Sequence, residues 1–436
     1  MPLRLWKCND LWTCAKRSRS RGFHGSAPKG TFTSDLDIDI ATIGLAPSRS
    51  SPAVLLINSM GTGGAERAVA LAAVRLRAGG RNIRILCLER PPAGEAPYPD
   101  LEVEYLSGMV TSSRSVFKLF ALPVLAARLA SYVRREGVGA VMSHLFRANF
   151  VNVLAGTLFR SRHRSILVNH TRVSRLASEG IQGRISMILC TRLYPRADIV
   201  ASVSLGAAME CARILALPVE KSIILYDPID TRAASPSGGT APEPTHAIIT
   251  VGRLVRLKRF CDIIEAFNRI ASEYPDLELR IVGDGPERST LERLAGASEA
   301  SRRIHFLGRL SNPLPAVAGC AVYVSASETE GFGMAIVEAL AAGVPVVASD
   351  CAYGPREILA PATDPESLLE GHAGIEIAPY GILFPVGSVE ALTNALRRIL
   401  GDPVLQADLA KKGPLRAADF SVERSTAAYE RLLFAE

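Results

Sequence analysis

The chain reads as an α/β protein built from two Rossmann-like, doubly wound domains that face each other across a cleft. Short apolar runs alternate with helix-length segments from residue 53 onward, the signature of parallel sheets covered on both faces. The alternation halts at a stretch of Pro, Gly, Ser and Ala near residues 230–244 and then begins again. A length of 436 residues also exceeds what one hydrophobic core usually serves, while 48% hydrophobic and 21% charged residues describe a globular protein. A hinge linker between two such halves implies a ligand cleft between them. The divisions are a tail over 1–50, a first domain over 51–228, a linker over 229–245, a second domain over 246–410, and a helical segment over 411–436 that packs back on the first domain.

Residues 1–50 differ from the rest. Arg4, Lys7, Lys16, Arg17, Arg19 and Arg21 mix with Trp6, Trp12 and Phe23, and Ser, Pro and Gly follow. Such a stretch suits a disordered tail, an over-extended start, a segment on an anionic membrane surface, or a transit peptide rich in Arg and Ser. Asp35, Asp37 and Asp39 make D-x-D spacings without a strand and loop around them, so no metal is assigned there.

Ordered structure begins with a buried strand, Ala53 to Ile57. The glycine-rich turn Met60 to Gly64 leads into a helix through Leu76, and the strand Ile83 to Leu88 closes a right-handed βαβ unit. A helix from about Val116 to Arg135, a strand Ala140 to Met142, a helix from Asn149, and strands Ser165 to Val168 and Ile199 to Ser202 follow. As a dinucleotide fingerprint, Gly61-Thr-Gly-Gly lacks the last glycine spacing, and the nearest acid for a ribose is Glu89. His144 follows a predicted strand end, where α/β ligand sites lie, although a lone histidine is more often a packed structural residue. His170 is a second, weaker candidate.

In the second half a strand Ala247 to Val251 leads to a helix from Phe260, and a strand Glu278 to Val282 leads through Gly283-Asp-Gly-Pro286 to another helix. Strands Ile304 to Leu307, Ala321 to Ser325 and Val344 to Ala348 come next, then a strand in Gly381 to Pro385 and a helix Val389 to Leu400. Arg253 and Lys258 stand five residues apart, just past the first of these strand ends. Basic residues there are commonly solvated surface, and they also suit an anion.

The most specific pattern is Glu330-Gly-Phe-Gly-Met-Ala-Ile-Val-Glu338, followed by Ala-Leu-Ala-Ala-Gly343-Val-Pro345-Val-Val. Its carboxylates lie eight positions apart, slightly over two helical turns, so a helix starting near Gly333 turns both to one side. Gly331 and Gly333 permit close backbone approach, and the first helical turn offers unpaired N–H groups to an anion. A carboxylate pair around such a turn suits a ligand with many hydroxyls and a phosphate, as a nucleotide sugar has. The same spacing also fits a solvated helix face.

This string resembles the E-x7-E signature of retaining glycosyltransferases of family 4, and the likeness covers all but the first 50 residues. The second half is similar to that family's donor-binding domain through Tyr226-Asp-Pro-Ile-Asp230, Val251-Gly-Arg-Leu-Val-Arg-Leu-Lys258, Ile281-Val-Gly-Asp-Gly-Pro286, Phe306-Leu-Gly308, Gly354-Pro-Arg-Glu357 and Tyr380-Gly-Ile-Leu-Phe-Pro385. The first half matches more loosely through Gly63-Gly-Ala-Glu-Arg67, His144-Leu-Phe-Arg-Ala-Asn149 and Asn169-His170. Asp227 departs from the pattern, where many relatives carry Asn; this bears on the hinge and leaves the donor site intact.

The resemblance implies a GT-B fold, catalytic roles for Arg253, Lys258, Glu330 and His144, and a donor site of Gly63, Gly64, Gly252, Gly308, Gly331, Phe332, Gly333, Met334 and Glu338. Arg253 and Lys258 bind the donor diphosphate. Its charge grows as the sugar leaves, so fixed cations stabilise the transition state more than the ground state. Glu338 takes the ribose hydroxyls, while Glu330 and the N–H groups of Phe332, Gly333 and Met334 hold the sugar and distal phosphate. The base lies near Leu307 to Leu310, and no metal or other cofactor is implied.

The implied reaction is hexosyl transfer from a UDP- or GDP-sugar to a saccharide or polyprenyl-linked saccharide with retention, as in cell-surface or exopolysaccharide biosynthesis. A GT-B-fold sugar-nucleotide epimerase or phosphorylase and a non-catalytic nucleotide-sugar-binding protein are the alternatives. A net charge of +7 favours anionic partners, read as phosphorylated sugars and not nucleic acid. Eight cysteines without a CxxC pair suit a reducing cytoplasm. No run approaches the roughly 20 apolar residues of a membrane span. The predicted helix Ser115 to Arg135 sets Phe117, Phe120 and Leu125 beside Arg114, Lys118 and Arg128. That suits a peripheral contact with the anionic inner face of the plasma membrane, and equally a core helix with a solvated basic face.

Overall fold

The computed structural model describes residues 51–91, 98–110, 117–231, 245–372 and 374–434, which all belong to one compact unit, Ile38–Glu436. The tail over 1–50, with its D-x-D spacings, and most of the linker lie outside the described residues.

The first half holds, in order, β1 (Ala53–Ile57), α1 (Gly64–Ala78), β2 (Ile83–Cys87), β3 (Val103–Tyr105), α2 (Phe117–Phe120), α3 (Leu122–Glu136), β4 (Ala140–His144), α4 (Phe146–Thr157), β5 (Arg164–Asn169), α5 (Gly180–Leu193), β6 (Ile199–Ser202), α6 (Leu205–Leu215) and β7 (Ser222–Ile224). Its strands form one all-parallel sheet in the order β3-β2-β1-β4-β5-β6-β7. All of β1, Ala-Val-Leu-Leu-Ile, is buried, as a strand covered on both faces requires. The order reverses between β1 and β4, so a crevice opens beyond their carboxyl ends, at the Met60 to Gly64 turn and at His144.

The second half holds β8 (Thr245–Val251), α7 (Phe260–Ile270), β9 (Glu278–Val282), α8 (Arg288–Gly296), β10 (Ile304–Gly308), α9 (Leu314–Val317), β11 (Cys320–Ser325), α10 (Met334–Ala341), β12 (Val346–Ser349), α11 (Pro355–Leu359), β13 (Glu376–Ala378), β14 (Gly381–Phe384), α12 (Val389–Leu400) and α13 (Pro403–Ala417). Its sheet runs β10-β9-β8-β11-β12-β14-β13, parallel except for the β13–β14 hairpin edge. The reversal falls between β8 and β11. Each half has its own core, with Leu129, Phe150 and Tyr194 in the first and Phe267, Phe384 and Leu396 in the second. Burying one such apolar side chain contributes about 1.5–3 kcal/mol.

A last helix, α14 (Val422–Phe434), crosses back to the first half, where Arg81 Nε donates to Glu430 at 2.7 Å and its guanidinium lies over Phe434. The crossing starts later than residue 411. Helix α13 stays with the second half through Ala417, because Arg416 donates to the carbonyls of Ile358 and Glu357.

Other differences from the sequence reading have local causes. The helix expected over 116–135 is broken at Ala121: Pro123 occupies the first turn of α3, where its missing N–H costs nothing. Leu122, Leu125, Leu129 and Val133 of α3 are buried, while Phe120 and Val124 are exposed, so this is chiefly a core-packing helix. Helix α4 starts at Phe146, three residues before Asn149, because Leu145 adopts φ 73° and turns β4 directly into it. The three-residue strands β3, β7 and β13 are too short for an alternating pattern to announce them.

Candidate active site

The candidates of the second half converge beyond β8 and β11. Gly252 follows β8, and a Cβ on Gly283 would lie 1.9 Å from the Gly252 carbonyl oxygen, so two backbones touch there with no side chain between them. Gly283 sits at φ 140° and donates to the Gly308 carbonyl at 2.7 Å. The loop after Gly252 is pinned to the same turn, since Leu254 N donates to Asp284 O at 2.9 Å. Arg253 projects from this loop, exposed, and no ion pair engages it among the described residues. Lys258 ends a single 3₁₀ turn, and its Nζ lies 2.5 Å from Glu330 Oε1, which also accepts from Ser327 Oγ at 2.6 Å.

Glu330 stands in a loop, because α10 begins only at Met334, with Gly333 at φ 108° before it. The two glutamates therefore do not share a helix face. Both lie near β11 all the same, where each carboxylate adds to burial in raising the Tyr323 hydroxyl pKa. Glu338, within α10, is buried; burial raises its carboxyl above the usual range and Arg67 draws it back. Arg67 comes from α1 in the first half. Its Nη1 lies 2.6 Å from Glu338 Oε1, within ion-pair distance but with no aligned hydrogen bond at that oxygen.

The first half's glycine-rich turn faces this loop. A Cβ on Gly64 would come 3.3 Å from Met334 Sδ, and one on Gly331 would come 1.9 Å from the His170 carbonyl oxygen. The exposed Gly63 has Glu66 folded over it, so a Cβ there would lie 2.3 Å from Glu66 Oε2. Ser204 Oγ donates to the Gly331 carbonyl at 2.8 Å. Glu357 accepts the Leu205 N–H at 2.8 and 3.0 Å and the Tyr226 hydroxyl at 2.6 Å, so an acid from the second half caps α6 of the first. Phe332 is buried against Tyr226 and Phe420, with ring centroids 5.3 and 5.0 Å away, which fixes the 331–334 backbone.

His144 differs from its expected place in the cleft. Strand β4 runs two residues past Met142, so the imidazole belongs to the sheet interior and has no exposed surface. Its Nδ1 lies 2.9 Å from His170 Nε2, His170 Nδ1 lies 3.4 Å from Asp227 Oδ2, and the Tyr429 ring stacks 6.1 Å away. Burial, with His170 adding, holds His144 well below the ordinary 6.5, so it is neutral at neutral pH. Glu89, the acid considered for a ribose, is engaged by Arg147 at 2.7 Å. Among the described residues no group of three or more His, Cys, Asp or Glu is placed to hold a metal ion.

Arg67, Ser204, Asp227 and Glu357 were not singled out as site residues from sequence, whereas His170, the weaker histidine candidate, lies against the donor loop through its carbonyl. Arg67 and Glu357 stand inside motifs that resemble the family, yet their partners lie in the opposite half, at no fixed spacing.

Comparison with known proteins decides the family. Residues 62–233 match the model described as Glycosyltransferase Family 4, and residues 232–416 match the one described as Glycosyl transferases group 1. The chain belongs to glycosyltransferase family 4. This glycosyltransferase is 26% identical, over 84% of its length and 94% of the relative's, to an N-acetylgalactosamine-N,N'-diacetylbacillosaminyl-diphospho-undecaprenol 4-alpha-N-acetylgalactosaminyltransferase of Campylobacter jejuni. It is 32% identical to the lipopolysaccharide core biosynthesis glycosyltransferase LpsE of Rhizobium meliloti, spanning 44% of this chain and 51% of that one. Among solved structures it is similar to HepE of Anabaena in complex with UDP, with a TM-score of 0.65 and 19% identity over 88% of this chain and 99% of that one. The sucrose-phosphate synthase of Thermosynechococcus elongatus superposes with a TM-score of 0.70 at 20% identity, over 87% of this chain and 98% of that one. These likenesses establish the GT-B fold.

No helix among the described residues is long and apolar enough to cross a membrane. Exposed apolar side chains gather on α5, where Ile181, Ile185 and Ile188 are 78%, 39% and 59% exposed beside Arg184 and Arg192, which are also exposed.

Proposed function

We propose that this family 4 glycosyltransferase carries a hexosyl group from a UDP-sugar to a polyprenyl-linked saccharide and retains the anomeric configuration. The observation that carries the reading is the set at the second sheet's reversal: an exposed Arg253 that no ion pair engages among the described residues, a Lys258–Glu330 pair, and a buried Glu338 under the N-terminal turn of α10. Cations for a diphosphate and carboxylates for hydroxyls stand where open α/β sheets take ligands. UDP is favoured over GDP by the likeness to HepE, solved with UDP and with UDP-glucose. The acceptor class is favoured by the Campylobacter jejuni relative, named for a diphospho-undecaprenol-linked saccharide.

In this reading the C1–O bond to the diphosphate breaks as the acceptor oxygen bonds to C1 from the same face. The acceptor proton passes to the departing phosphate oxygen. Arg253 and Lys258 meet the growing phosphate charge, in place of a metal. Glu338 takes the ribose hydroxyls and Glu330 the sugar hydroxyls, each charge-assisted bond contributing about 1.5–3 kcal/mol. Gly63, Gly64, Gly252, Gly308, Gly331 and Gly333 keep side chains out of the donor's path, and Phe332 and Met334 present backbone N–H groups. His144, being neutral and buried, positions His170 from below and does not touch the donor. The acceptor lipid reaches the enzyme at an anionic membrane, with the isoleucines and arginines of α5 as the contact.

Incubation with a panel of UDP- and GDP-sugars and polyprenyl-diphosphate saccharides tests the reading. Release of UDP that depends on the acceptor supports it. Epimerised donor, or tight UDP binding without turnover on any acceptor, contradicts it.

A further inference from the structure

Two basic residues stand on the two carboxylates that the proposed reading assigns to hydroxyls: Lys258 on Glu330, and Arg67 on Glu338. The second pair is unusual because it joins the two halves. Arg67 stands on α1 and Glu338 on α10, and the first residues of these helices, Gly64 and Met334, also meet. The helix starts therefore face each other, with Arg67 and Glu338 behind them.

The pair is asymmetric. The Glu338 side chain is 5% exposed and held by its helix, whereas the Arg67 side chain is 38% exposed on a long arm. Among the described residues no aligned hydrogen bond reaches Glu338 Oε1, although Arg67 Nη1 is 2.6 Å away. A guanidinium presents a rigid fork of donors that suits phosphate oxygens, and a diphosphate offers it more charge than one carboxylate does. The amide end of α1 is a weaker candidate for that role, because Glu66 folds over Gly63 at the helix start. What α1 can bring to an anion is its arginine.

We infer that Arg67 is a third cation for the donor diphosphate and exchanges Glu338 for it when the donor binds. This deepens the proposed function and rests on its assignment of Glu338 to the ribose. As Arg67 moves to the phosphates, Glu338 turns its freed oxygen to the ribose hydroxyls. One exchange then links donor binding to closure of the two halves, since Arg67 belongs to the first and the other charged donor contacts, Arg253, Lys258, Glu330 and Glu338, to the second. Arg67 becomes the residue by which the first half senses a diphosphate, and it discriminates a nucleotide from a nucleoside.

Isothermal titration of the full chain with uridine and with UDP separates the roles. In the Arg67→Ala variant UDP affinity is expected to fall at least about tenfold, while uridine binds as well as or better than to wild type. Arg67→Lys is expected to keep UDP affinity within about threefold, and thermal melts of both variants confirm folding. Equal loss of UDP and uridine in Arg67→Ala marks a merely structural ion pair and overturns the inference. Unchanged affinity for both, or a gain for both, also overturns it. A wild-type chain that binds neither UDP nor GDP refutes the donor reading itself, and this inference with it.

Discussion

Replacing Gly331 by alanine sets the geometry of the cleft against its chemistry. A Cβ at this position would lie 1.9 Å from the His170 carbonyl oxygen and 2.9 Å from its carbon, both backbone atoms of the opposite half. Cβ atoms essentially never approach closer than 3.0 Å, so the donor loop and the β5 end must separate by about 1 Å. That shift breaks or lengthens the Ser204–Gly331 hydrogen bond and carries Glu330 away from the first half. Misplacement of this size costs on the order of 10²-fold in rate, equivalent to about 2.7 kcal/mol of transition-state stabilisation. Overpacking also lowers stability by roughly 1–3 kcal/mol, or a few degrees in Tm. Gly296→Ala is the control, because a Cβ there meets nothing within 4 Å. Initial rates of UDP release and circular dichroism melts are the assays. Gly331→Ala with more than a third of wild-type kcat/KM and an unchanged Tm would refute the close approach of the two backbones.

Lys258→Ala is expected to fold normally and lose about 10²–10³ in kcat, by analogy with the loss of one oxyanion donor; retention of half the turnover at saturating donor refutes the role. Glu338→Ala is expected chiefly to raise the donor KM, since ribose contacts change little along the reaction, and steady-state kinetics checks it. His163 donates through Nε2 to Asn152 Oδ1 at 2.8 Å, and burial lowers its pKa from 6.5 to about 4. The native state thus binds fewer protons than the unfolded chain between those values, so stability is full above about pH 6.5 and is lost as pH falls toward 4. The loss reaches roughly 2 kcal/mol by pH 5, and His163→Gln flattens that part of a denaturant-melt pH profile. Asp227→Asn removes a carboxylate 3.4 Å from His170, beneath the donor loop, and is expected to leave UDP affinity within about threefold by titration calorimetry.

Much of the fold was legible because each half repeats a pattern with local rules. Strands such as Ala53–Ile57 and Ile199–Ser202, the latter as far as Ala201, are continuous apolar runs, Glu278–Val282 alternates polar and apolar before ending Ile-Val, and α7 opens at Phe260 where its period begins. The break at Ala121 was less legible, since Pro123 is tolerated inside an apparent helix pattern until its place in the first turn is known. Around the site, the glycines, Arg253, Lys258 and the glutamate pair stand in contiguous motifs. What they touch depends on the opposite half. Nothing in the spacing of Arg67 and Glu338, or of Glu357 and Leu205, announces that they meet across the cleft. The burial of His144 is a similar case, because a strand two residues longer changes which side of the sheet's edge the imidazole occupies.

The anomeric configuration of the product tests retaining transfer most directly. The full chain, an α-linked UDP-sugar labelled with ¹³C at C1 and a polyprenyl-diphosphate saccharide are incubated together, and the new linkage is read by NMR. Retention predicts an α-anomeric signal on the extended saccharide, appearing in step with UDP. A β-linked product contradicts the same-face transfer assigned to Arg253, Lys258 and the departing phosphate.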